Sequence, residues 1–115
     1  MTVKKDKPCE IHFADQSIFD AYKSLEYGDE QSKRLFKFIN RAFDDIVVDP
    51  TCGIKIKKDL WPKDYIRKHH ITNLWKYDLP GAWRLIYSIF EDEIKIMNVV
   101  LEWMTHKEYE RKFKY

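Results

Sequence analysis

Cysteine is scarce in this chain of 115 residues: Cys9 and Cys52 stand alone, without CxxC spacing, so neither a disulfide framework nor a thiolate zinc site is encoded, and both are expected to be ordinary thiols. Glycine and proline are few, with 3 and 4 residues, which excludes collagen-like and low-complexity chains. No apolar run approaches the roughly 20 residues a membrane-spanning helix requires. Residues 1–8 are polar and charged, without the apolar core of a signal peptide. These absences lead to the expectation of a cytoplasmic protein with no membrane partner. A dominant charge sign is missing too: Lys and Arg number 21 against 19 Asp and Glu, a net +2 that is too small for the bulk field to drive binding to nucleic acid.

What the sequence does contain is enough apolar and aromatic residues for a core, 44% and 16%, and a length that suits one domain over residues 1–115. The charge is uneven. Residues 1–50 carry 8 basic and 10 acidic side chains, and residues 51–115 carry 13 and 9. The densest basic stretch runs from Thr51 to Lys76, where Lys55, Lys57 and Lys58 lead a run opposed only by Asp59 and Asp64, with His69 and His70 added. Such a local excess can meet phosphates.

Hydrophobic spacing orders the elements. Ile11 and Phe13 alternate with Glu10 and His12 as in a strand, and Asp15 can cap a helix from about Ser17 to Leu25. Asp29 is a good N-cap for a longer helix, because Leu35, Phe38, Ile39, Ala42, Phe43 and Ile46 recur on one helical face, and Asp49-Pro50 ends it. Trp61-Pro62 predicts a short helix over Lys63–His69. Three strand-like runs follow, Asn73–Leu79, Ala82–Phe90 and Glu93–Glu102, parted by Pro80-Gly81 and by an acidic turn, which predicts an antiparallel meander. The second run is apolar at both parities and should be central, covered on much of both faces. Thr105-His106-Lys107-Glu108 has the form of a capping box, so a last helix should span about His106 to Phe113. The expected class is α+β, with helices packed on one face of the sheet.

Two segments carry a family resemblance that covers most of the chain. Trp83-Arg84-Leu85-Ile86-Tyr87 looks like the aromatic-Arg-Leu-Val-Tyr strand of the RelE/ParE superfamily of small toxins, and Thr105-His106-Lys107-Glu108-Tyr109 is similar to the Thr-His-x-x-Tyr/Phe ending of its HigB and YafQ branch. The resemblance implies a RelE-like fold: an N-terminal strand and helical hairpin packed on a twisted antiparallel sheet, with a short C-terminal helix. It also implies the toxin of a type II toxin–antitoxin pair, an mRNA endoribonuclease (mRNA interferase) acting on the ribosome without cofactor or metal. The partners would be RNA and a cognate antitoxin with an acidic segment.

That chemistry, attack of a ribose 2′-hydroxyl on the next phosphate, needs a base, a cationic grip on the phosphate and an acid for the departing 5′ oxygen. Arg84 matches the strand arginine, and a guanidinium can grip two phosphate oxygens at any working pH. His106 matches the histidine of the ending, and both neutral base and cationic acid stay open for it. Tyr109 matches the terminal aromatic, which stacks on a base or donates to the phosphate. Lys76 has the type and position of a phosphate-contacting residue of relatives, and the length of the hairpin loop decides whether it shares a face with Arg84. Around these, Lys55, Lys57, Lys58, His69, His70, Lys107 and Arg111 are expected RNA contacts. Glu102, Glu108 and Glu110 place negative charge near the same region. Two alternatives follow: an inactive member of the same fold that binds RNA, a ribosome or a protein partner, and a ParE-like gyrase inhibitor, which would have no need of His106.

Overall fold

The computed structural model describes residues 7–113. In chain order these form β1 (Cys9–Phe13), α1 (Gln16–Leu25), α2 (Glu30–Val48), β2 (Ile54–Lys55), α3 (Lys63–His69), β3 (Trp75–Leu79), β4 (Trp83–Glu91), β5 (Ile96–Thr105) and α4 (His106–Phe113). Among the described residues the strands make one sheet in the order β1-β5-β4-β3-β2. The α+β class is thus as expected.

Local chemistry sets the helix boundaries. Asp15 accepts a hydrogen bond from the Ile18 amide at 3.0 Å and starts α1, and Asp29 accepts from the Ser32 amide at 2.8 Å and starts α2. The predicted stripe of α2 is the one that packs: Leu35, Ile39, Ala42 and Ile46 are buried. Each large aliphatic side chain so buried contributes about 1.5–3 kcal/mol. The helix stops before Pro50. His70, in the left-handed region at φ 52°, closes α3 by donating its amide to Ile66 O at 3.0 Å.

Two expectations about the sheet are corrected. It is mixed rather than antiparallel throughout, because β1 pairs parallel with β5, Cys9 opposite Ile96 through Phe13 opposite Val100. Helices also cover both faces rather than one. On one face α1 and α2 bring Leu35, Ile39 and Ile46 against Leu85, Tyr87 and Val100, while on the other α3 and α4 bring Tyr65, Tyr109 and Phe113 against Ile86, Leu101 and Met104. The reason lies in β4, whose consecutive Leu85, Ile86, Tyr87 and Ser88 are all buried, as its apolar residues at both parities demand. The last strand starts three residues later than predicted, because the Asp92 side chain accepts from the Ile94 and Lys95 amides and holds a turn there.

Between α2 and α3 the chain adds the short edge strand β2, for which hydrophobic spacing gives no signal. Gly53 makes it possible. A Cβ there would lie 2.6 Å from Lys76 O and 2.7 Å from the Tyr87 hydroxyl, which itself donates to Pro50 O at 2.6 Å and accepts from the Gly53 amide at 3.2 Å. Gly53→Ala should therefore cost about 1–3 kcal/mol by forcing these groups apart, measured as a lowered denaturation midpoint with unchanged slope. An unchanged midpoint would show that the edge strand can shift freely.

Candidate active site

The site assembles where the β3–β4 hairpin meets the start of α4. Lys76 pairs with Ile86 and Asp78 with Arg84 across the hairpin, whose loop of Pro80, Gly81 and Ala82 settles the register. Lys76, Asp78, Arg84 and Ile86 therefore share the face covered by α3 and α4. On the far side of β4, Arg84 pairs with Met104 and Trp83 with Thr105, so β5 delivers the start of α4 to the same corner. The His106 amide donates to Ala82 O at 2.7 Å, which ties that start to the hairpin loop.

The capping box forms as the sequence predicts. Thr105 Oγ1 accepts from the Glu108 amide at 3.2 Å and Glu108 Oε1 accepts from the Thr105 amide at 2.8 Å. Thr105→Ala should lower stability by about 1 kcal/mol in chemical denaturation, and no loss would mean that tertiary contacts alone hold α4. The Thr105 amide and hydroxyl hold the Glu108 carboxyl below the usual glutamate value. Its contribution is present at neutral pH and is lost as pH falls through that lowered value.

Arg84 lies at the centre of the cluster. Its Nη2 is 3.0 Å from His106 Nδ1, its Nη1 donates to Trp83 O at 3.2 Å, and its Nε is 2.9 Å from Asp78 Oδ1. Nε is buried, and among the described residues no acceptor is aligned to take its hydrogen, so the Asp78 contact is ionic without being a good hydrogen bond. Lys76 Nζ reaches the same Asp78 oxygen at 2.9 Å. A guanidinium can only donate, so His106 Nδ1 presents its lone pair and the ring hydrogen sits on Nε2, 3.5 Å from Glu110 Oε2.

Of the two roles expected of Tyr109, stacking on a base is closed by burial. Tyr109 is 2% exposed and stacks on Phe113 with ring centroids 4.4 Å apart, so its faces are closed to a nucleobase. Lys76 Nζ lies 5.6 Å from its ring centroid, which makes the tyrosine a platform beneath that cation. Burial of an aromatic at i+3 from a cap is the ordinary outcome for a helix that docks on a sheet.

The remaining predicted contacts are dispersed. His69 is half-buried and lines one pocket with Ala14, Phe90 and Val99 and another with Tyr65 and Glu102. His70 caps α3. Neither histidine joins the cluster. Lys55 pairs with Trp75 and by strand alternation points to the face opposite Lys76. Lys57 and Lys58 are exposed on the segment after β2, and Lys107 and Arg111 are exposed on α4. Two of the three nearby carboxylates have structural partners. Glu108 closes the capping box, and Glu102 accepts from Tyr65 Oη and pairs with Lys112 at 2.8 Å. Burial, and then that carboxylate, push the Tyr65 hydroxyl far up, and although burial alone would lower the Lys112 ammonium, Glu102 and Asp64 hold it above the usual lysine value. This second cluster joins α3 and α4 to the sheet.

Among the described residues no group of three His, Cys, Asp or Glu side chains is placed to hold a metal ion, and no helix is long and apolar enough to cross a membrane. Fold and site together define an α+β protein with a mixed sheet, helices on both faces, and a polar corner where one arginine, one lysine and one histidine meet the carboxylate of Asp78. Comparison of the chain with protein-family models, curated proteins and solved structures found no match.

Proposed function

We propose that this chain is a RelE-type mRNA endoribonuclease, the toxin of a type II toxin–antitoxin pair, which cuts RNA on the ribosome by 2′-hydroxyl attack on the adjacent phosphate. The observation that carries the reading is the 3.0 Å contact between Arg84 and His106, with Lys76 on the same face. It brings a cation of fork geometry and a proton-transfer group to one point, from residues 22 apart in sequence. The matching strand and ending described above support the same reading.

In this mechanism the scissile phosphate takes the Nε and Nη2 edge of Arg84 and the ammonium of Lys76, which neutralise the charge that builds on its non-bridging oxygens. Engaging the phosphate draws Nη2 away from His106. The freed Nδ1 lone pair then accepts the 2′-hydroxyl proton as the new P–O bond forms. The P–O bond to the 5′ oxygen breaks, and the departing oxygen takes a proton from the Lys76 ammonium, while the imidazolium formed at His106 returns the 2′ proton through solvent, so that both groups regain their starting state. A cyclic phosphate remains on the upstream fragment. Lys107 and Arg111, exposed on the helix that His106 begins, supply sequence-independent phosphate contacts.

The test is end-labelled messenger RNA in a translation extract with the purified chain. Discrete cuts with cyclic phosphate ends are expected. Intact RNA, with ribosomes present and the protein folded by circular dichroism, would overturn the enzymatic reading and leave the binding module of the same fold.

A further inference from the structure

In the proposed phosphate site a carboxylate already stands where the phosphate is expected. Asp78 Oδ1 lies 2.9 Å from Lys76 Nζ and 2.9 Å from Arg84 Nε, the two cations assigned to the substrate. Its own side chain is 45% exposed, whereas those of Lys76 and Arg84 are 14% and 16% exposed. The anion is therefore the outer, replaceable member of the trio and the cations are the fixed ones. The contact is also imperfect, because Arg84 Nε has no aligned acceptor among the described residues despite that proximity. A tetrahedral anion with several oxygens can satisfy Nε and Nη2 side by side, which one carboxylate oxygen shared with Lys76 does not.

We infer that Asp78 is a built-in counter-ion that a phosphodiester must displace, so that it sets the affinity of this site for RNA without taking part in bond making. The inference rests on the phosphate-binding reading of the corner. In the free protein the carboxylate keeps two inward cations from repelling each other and blocks the site to stray anions. On binding, the phosphate replaces it at Lys76 and Arg84, and Asp78 turns to solvent. Because Arg84 Nη2 also holds His106 Nδ1, the exchange links phosphate capture to release of the imidazole.

The isosteric change Asp78→Asn separates this role from others. A 2′-O-methyl RNA oligonucleotide, which cannot be cleaved, should bind the variant about tenfold more tightly than the parent chain. Inorganic sulfate should raise the thermal midpoint of Asp78→Asn more than that of the parent, which reads the anion site without RNA. In cleavage, KM should fall with kcat unchanged. Equal oligonucleotide affinity and equal sulfate response in both proteins would overturn the inference and make Asp78 a structural pair only. A collapse of kcat with KM unchanged would overturn it by assigning Asp78 to the chemistry. The wider reading fails separately, when the parent chain leaves RNA intact on the ribosome, and the sulfate comparison still decides the role of Asp78 in that case.

Discussion

Arg84→Ala should reduce the rate of RNA cleavage by a hundredfold to a thousandfold while the circular dichroism spectrum is retained. The magnitude is that of removing one preorganised donor aimed at developing charge. The fold should tolerate the change, because the Asp78 side chain is 45% exposed and keeps Lys76 as its partner, so removal of the guanidinium leaves no buried unpaired charge. Arg84→Lys keeps the charge and loses the fork, so it should recover only part of the rate. Its Nζ cannot span both the phosphate and the position now contacted by Nη2 beside His106. Cleavage at the parent rate by Arg84→Ala, with the same cut sites, would remove this corner from the mechanism.

The second large effect is expected at His106. His106→Ala should lower kcat by a hundredfold to ten-thousandfold, the usual contribution of a positioned proton-transfer group. It should leave RNA affinity nearly unchanged, since Arg84 and Lys76 remain. His106→Gln is the sharper test. An amide oxygen can still accept from Arg84 Nη2, which preserves the local geometry, but glutamine does not exchange a proton with a 2′-hydroxyl. Loss of cleavage in both variants, with a flattened pH–rate profile for whatever activity remains, supports proton transfer. Full activity in His106→Gln would reduce the residue to a hydrogen-bonding support for Arg84. The side chain is 46% exposed, so neither change should disturb the core.

The limits of the sequence pattern are instructive residue by residue. The caps at Asp15, Asp29 and Thr105–Glu108 are legible because the donor and acceptor lie within three residues of each other. The buried stripe of α2 is legible because helical spacing alone determines which side chains share a face. By contrast, the parallel pairing of β1 with β5 joins residues more than eighty positions apart and has no local signature. The burial of Tyr109 likewise depends on which surface α4 covers.

The site itself turns on a bulge. Between Ile86 opposite Glu102 and Tyr87 opposite Val100, β5 carries one extra residue, Leu101. Without it Trp83 would face Met104 rather than Thr105, and α4 would begin one residue out of step with the hairpin. Because side chains alternate faces along a strand, such a slip would redirect Met104 away from the core beneath α4 and move His106 relative to Arg84.

The amino-acid sequence by itself determined the helices, their ends, the hairpin turn and the basic C-terminal half, since each follows from interactions a few residues in range. Only the tertiary structure decided that Lys76, Asp78, Arg84 and His106 meet at one corner and that Tyr109 lies beneath it. That meeting depends on strand register, on the Leu101 bulge and on helices covering both faces of the sheet, which are settled by burial between distant segments rather than by local preference.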